Sequence, residues 1–155
     1  MPIKRKTTDA EVKEAFKRRV ALFRKALIAS LIRIGENAIT EARKNGIYID
    51  RTGNLRSSIG YAVVDNGTVM MRSTFDTVLG KVEANGRRQS GGTGREEGMK
   101  YLESCIHATG SIQLIMVAGM PYAQYVEDKN KNVLDTAERY ATSEVAKLRQ
   151  KFNLK

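Results

Sequence analysis

Cys105 and His107 are the side chains best suited to act as a nucleophile or a metal ligand, and they stand two positions apart. On a helix that spacing points them in different directions. Neither has a partner at a metal-ligand spacing. His107 is the sole histidine, which removes most nucleophile–base pairs. Glu96 and Glu97 are the carboxylates that acid–base chemistry would use, but neighbouring charges on a helix read as a solvated face. Gly91-Gly92-Thr93-Gly94 only superficially resembles a phosphate-cradling loop. It lacks the closing Lys-Ser/Thr and follows no clear strand. With Asn85 to Ser90 it reads as a flexible, glycine-rich loop over residues 85–94. Arg87 and Arg88 within it could touch phosphates or an acidic neighbour. The pattern predicts no catalytic residues, no metal and no cofactor, and hence not an enzyme.

The 155 residues suffice for a single domain over 1–155 with a hydrophobic core. Apolar residues are 41% and charged residues 28%, a globular composition. No apolar run approaches the roughly 18–20 residues of a membrane span. Ile28 to Ile34 comes nearest, and Ser30 and Arg33 interrupt it. The basic N-terminus has no apolar run after it, so no secretory signal is expected. One cysteine excludes an internal disulfide and fits a reducing compartment or indifference to redox. The net charge is +10, and residues 1–60 carry +8 of it. Such a surplus suits nucleic acid, an acidic protein surface, or solubility alone.

Positioning falls to a series of elements. Residues 1–7 are a basic arm. Thr8 and Glu11 form a capping box, after which Val12, Phe16, Val20, Phe23, Leu27, Leu31, Ile34, Ala38 and Ala42 recur at helical steps. Asn45-Gly46 predicts a left-handed cap. A helix over 9–44 would be about 54 Å long, against a domain radius of gyration of about 15 Å. It must bend, with Gly35 the weak point, or protrude and find cover on another molecule. Its basic residues surround the polar side: Lys13, Lys17 and Arg24 at one margin, Arg19, Arg33 and Lys44 at the other, Arg18, Lys25 and Arg43 behind. No aromatic residues alternate with them as a single-strand platform requires.

Thr52 is placed to cap a brief helix through Ser58, with Gly53 before it. Tyr61 to Val64 and Thr68 to Phe75 predict a hairpin about Asp65-Asn66-Gly67. A helix follows over 95–107, then an apolar strand over 111–117 expected at the centre of its sheet. Pro121 opens a short helix with Tyr122, Tyr125 and Val126 on one side, and Asp135 opens the last helix. The fold class expected is α+β, with a long N-terminal helix and C-terminal helices packed on a small, mainly antiparallel sheet.

Two segments in this order stand out: Thr52-Gly53-Asn54-Leu55-Arg56-Ser57-Ser58-Ile59 and Tyr122-Ala123-Gln124-Tyr125-Val126-Glu127. The chain resembles the head–tail joining, or tail-completion, proteins of long-tailed bacteriophages. There, a long first helix leads to Thr-Gly-x-Leu-Arg-x-Ser-Ile, with Tyr-Ala-x-Tyr-Val-Glu and a closing helix later. The chain departs from that pattern at Asp128 to Leu134, where the family often has Phe-Gly-Thr and a Pro-Phe-rich approach. Gly80 to His107 looks like an elaboration. The resemblance implies a virion structural protein at the neck/tail junction, assembled in the host cytoplasm. It implies a homo-oligomeric ring, six subunits being the expected number, between portal or neck proteins and the tail tube, with passing contact with phage DNA. Arg56, Arg87, Arg88, Tyr122, Tyr125 and Glu127 are the candidate interface residues. The alternative function is a small basic nucleic-acid-binding protein.

Overall fold

The computed structural model describes residues 7–84 and 87–153, and the structural statements below concern them. Asn85-Gly86, and all of the predicted basic arm except Thr7, lie outside the described residues. The order is α1 (Asp9–Asn45), α2 (Asn54–Ser57), β1 (Ile59–Asp65), β2 (Thr68–Arg72), β3 (Leu79–Ala84), β4 (Arg87–Ser90), α3 (Gly92–Ser104), β5 (Ile112–Ala118), α4 (Ala123–Asp128) and α5 (Asp135–Lys151). The fold is α+β.

The helix α1 begins as its sequence dictates. Thr8 Oγ1 accepts from the Glu11 N–H at 3.3 Å, and the Glu11 carboxylate accepts from the Thr8 N–H at 2.7 Å. Its end differs from expectation. Gly46 is extended, at φ −60° and ψ 118°, rather than left-handed. The glycine is required because a Cβ there would overlap the ring of Tyr48. The Asn45 carbonyl accepts from Asn132 Nδ2 at 3.1 Å, which closes the helix from another part of the chain.

Gly35 does not mark a break, because α1 runs through it as one element. A Cβ at Gly35 would overlap ring carbons of Tyr61, which is fully buried on β1. The glycine lets the sheet approach the helix, and the Tyr61 hydroxyl then donates to Glu36 Oε1 at 2.8 Å.

The main sheet has the order β2-β1-β5, all antiparallel. Asn66 and Gly67 take positive φ, 48° and 83°, as the predicted two-residue hairpin needs. β1 is central, so β5, despite its apolar sequence, is an edge strand whose residues are mostly half-buried. Alternation on β1 divides the core. Ile59, Tyr61 and Val63 face α1 and α5, whereas Ala62 and Val64 pack with Phe75, Leu102 and Val117 on the α3 side.

α5 lies antiparallel along α1. The Phe23 and Phe152 rings meet edge-on at 5.1 Å, Asn37 Nδ2 donates to the Tyr140 hydroxyl at 3.0 Å, and Asn132 reaches Asn45. The clamp covers only part of α1. Its buried residues begin at Leu31, and residues 9–22 are all exposed, including Val12, Phe16, Val20 and Leu22.

Residues 87–94, expected in a flexible loop, form β4, a one-residue link and the first turn of α3. Their glycines permit close contact: a Cβ on Gly91 would overlap Ser57, and one on Gly94 would overlap the backbone of Asn54.

The contact at Gly35 gives a test. Alanine would gain about 1 kcal/mol of helix propensity but must displace a ring that has no free space, at a cost of about 1–3 kcal/mol. Gly35→Ala should lower stability in urea unfolding by about 1 kcal/mol net. Raised stability would show that the Tyr61 ring can yield.

Candidate functional site

The two signature segments, far apart in sequence, meet in space. β1 pairs with β5 so that Ile59, the last residue of the first segment, faces Ala118, which leads to the second. The Gly119 N–H donates to the Ser58 carbonyl at 3.1 Å. Leu55, Ile59 and Ala123 share one core with Tyr48. At the surface of this junction the Tyr122 side chain lies close to that of Thr52 and feels the charge of Asp50.

The bend before α2 depends on Gly53, at φ 80°, where a Cβ would also overlap the Val78 carbonyl. Thr52 does not cap α2 as expected. Its hydroxyl is a distant 3.4 Å from the Asn54 N–H. The nearly buried Asp50 carboxylate takes the role, accepting from the Arg56 N–H at 3.0 Å. The paired serines point inward. Ser57 Oγ donates to the Gly53 carbonyl at 2.7 Å and accepts from the Val78 N–H at 2.8 Å. Ser58 Oγ donates to the Leu55 carbonyl at 2.8 Å. The Lys81 N–H donates to the Asp50 carbonyl at 2.9 Å, and the Gly94 N–H to Asn54 Oδ1 at 3.1 Å. The antiparallel two-stranded sheet of β3 and β4, and α3, are thus fastened to the first segment.

Arg56, expected to meet an acidic partner, is half-buried and turned inward. Its guanidinium lies 5.4 Å from the Tyr48 ring centroid and its Nη2 3.5 Å from the Gly46 carbonyl. Glu127 is likewise engaged within the chain. Its Oε2 accepts from the Val133 and Leu134 N–H groups at 2.7 and 2.8 Å, and its Oε1 from Asp135 at 3.2 Å. It therefore caps the start of α5 across the turn that leaves α4. Tyr125 is exposed, with Lys129 Nζ 5.2 Å from its ring centroid, and Tyr122 is 41% exposed. Arg87 and Arg88 are exposed on β4. The candidate residues thus separate into inward positioning groups (Arg56, Glu127) and an outward set (Tyr122, Tyr125, Arg87, Arg88).

Tyr48 and Asp50 belong to this site and were not singled out as candidates. The Tyr48 hydroxyl is buried without a hydrogen-bond partner among the described residues. Burial pushes its pKa up to about 12, with Arg56 opposing and Asp50 adding to the rise. Tyr122 is also raised, by burial first and then by Asp50, with the nearby Thr52 side chain opposing. Tyr61 is raised by burial and then by its bond to Glu36.

The residues first considered for chemistry are dispersed. Cys105 is the half-buried C-cap of α3, His107 and Glu96 are exposed, and Glu97 is half-buried. Among the described residues no group of three His, Cys, Asp or Glu is placed to hold a metal, and no helix is long and apolar enough to cross a membrane. Comparison with protein-family models, curated proteins and solved structures finds no match.

Two measurements test this geometry. Glu127→Ala should cost about 2–3 kcal/mol by stripping charged hydrogen bonds from the start of α5, and Glu127→Gln, which keeps one acceptor, about half of that; equal losses would contradict capping. Unfolded tyrosines titrate near pH 10, and the raised groups are neutral in the fold to higher pH. Their stabilising contribution is therefore complete below about pH 10 and lost as pH rises toward 12. Phenolate absorbance should show Tyr48, Tyr61 and Tyr122 titrating late, alongside loss of helical circular dichroism. Titration of all tyrosines together near pH 10 with the helices intact would refute it.

Proposed function

We propose that the chain is a structural subunit of a head–tail joining ring in a long-tailed bacteriophage, seated between portal or neck proteins and the tail tube. Its work is assembly rather than turnover. The observation that carries the assembly reading is the exposed first third of α1. Phe16 is 68% exposed, and Val12 and Val20 are 53% and 39% exposed on a stripe that continues the core-facing side of the helix. A monomer gains nothing from extending that stripe past its own core, whereas an oligomer buries it. The meeting of the two signature segments at one junction supports treating them as a single signature. The exposed aromatics Tyr122 and Tyr125 suit contact with a neighbour.

The same reading assigns the exposed Arg87 and Arg88 to passing contact with phage DNA. The alternative, a small basic nucleic-acid-binding protein, is favoured by the +8 carried by residues 1–60. It predicts a salt-dependent shift with duplex DNA.

Deleting the gene from a phage that carries it should leave filled heads and separate tails under the electron microscope. Normal infectious particles would reject the proposal. Rings in negative stain of the purified chain would support it against the DNA-binding alternative.

A further inference from the structure

The exposed end of α1 has a complementary surface elsewhere on the same molecule. An open groove of about 1140 Å³ lies between α3, β5, α4 and the start of α5. Tyr101, Met116, Met120 and Leu134 contribute apolar surface, and Tyr101 is 51% exposed. Its rim is acidic in a strongly basic chain: Glu97, Glu127, Asp128, Asp135 and Glu138 stand against Lys100 and Arg139. Arg139 is already paired with Asp135 at 2.8 Å.

The α1 stripe has the matching character. Val12, Phe16 and Val20 are exposed, with Lys13 and Lys17 bordering them on one side and Arg19 on the other; over residues 9–22 these cations and Arg18 outnumber Asp9, Glu11 and Glu14 by one. Two such stripes packed face to face would oppose cation to cation. The acidic groove opposes cation to carboxylate.

The groove and the stripe cannot meet within one molecule. α5 runs antiparallel to α1, so the free end of α1 leaves past Phe152 at the far end of α5. The groove lies at the opposite end, beside Asp135 and Glu138. The 17 residues of α5 separate them by about 25 Å, and residues 9–22 extend about 21 Å further away.

We infer that residues 9–22 of one copy dock in the groove between α3, β5, α4 and α5 of a second copy. The contact is heterologous, with a different surface on each side, and repetition of such a contact closes into a ring when the rotation permits. The inference rests on the ring reading above for the identity of its partner.

The two surfaces can be disabled separately. Phe16→Asp spoils the helix stripe and keeps the groove, whereas Tyr101→Asp spoils the groove and keeps the stripe. Both side chains are exposed, and thermal melts check that each variant folds. Sedimentation of the full chain at about 1 mM, where even a millimolar dissociation constant leaves much of it associated, should show self-association that added salt weakens. Each variant alone should lose at least about tenfold in affinity. Mixed together, they should form a one-to-one dimer and nothing larger, because one intact stripe still meets one intact groove. A monomeric parent chain, variants that associate like the parent, or a mixture without dimer would overturn the inference. Rings that persist in both variants would overturn it while leaving the ring reading intact. Infectious particles from the gene deletion would reject the phage reading without touching a mixed dimer.

Discussion

The contact between Tyr61 and Gly35 is the constraint on which the fold depends. A small sheet can share a core with a long helix only if the two approach closely, and the missing Cβ at Gly35 makes that approach possible. The ring fills the gap completely, and its hydroxyl finds Glu36 on the next residue of the helix. β1 is thereby fixed on α1. Because β1 is the central strand, β2 and β5 inherit their places from it. α5 then lies beside α1 with Ala137 and Ala141 buried, small residues that keep that interface close as well.

The polar residues of the two signature segments, with Asp50 just before the first, serve this framework before they serve any partner. Asp50 caps α2, Ser57 and Ser58 satisfy buried backbone groups, and Glu127 caps α5. Unpaired backbone donors and acceptors in such tight bends would each cost about 1–3 kcal/mol, so these side chains hold the turns in their observed shape. Arg56 contributes through its stack on Tyr48. What remains outward at the junction is aromatic: Tyr122 beside Thr52, and Tyr125 on the next turn. The demands of the local backbone explain why residues of these types stand together.

Much of this could be read from the chain. The capping box at Thr8, the helical period from Val12 to Ala42 and the Asn66-Gly67 turn are local signals, and local physics decided them. Glycines misled for one shared reason. Gly35, Gly46, Gly91 and Gly94 suggest weakness, a left-handed cap or a loop when seen alone, but each is small because something distant in sequence sits against it. The same gap hid the role of Glu127, whose three donors lie beyond a turn, and the edge position of β5, since an apolar strand packed between helices on its two faces need not be central. The convergence of Tyr122 on Thr52 was equally beyond a linear reading, because nothing in either segment encodes the strand pairing that joins them.

The length of α1 and the uneven charge of the molecule have one physical explanation in common. Burial on the sheet accounts for the helix from about Leu27 onward, and the capping box at Thr8 stabilises an end far from that core. A free helix end of this length is marginal in water by itself, yet its apolar stripe continues unbroken. The free end carries a small excess of cations, four against three carboxylates over residues 9–22, while carboxylates outnumber cations around a groove at the other end. Placing opposite charges at opposite ends adds nothing to the stability of one copy, since they are too far apart to attract through screened solvent. In the head-to-tail contact inferred above, the same separation would give the contact a direction. It also disfavours symmetric pairing of like ends, so the geometry that leaves the helix uncovered also selects the kind of contact that would cover it.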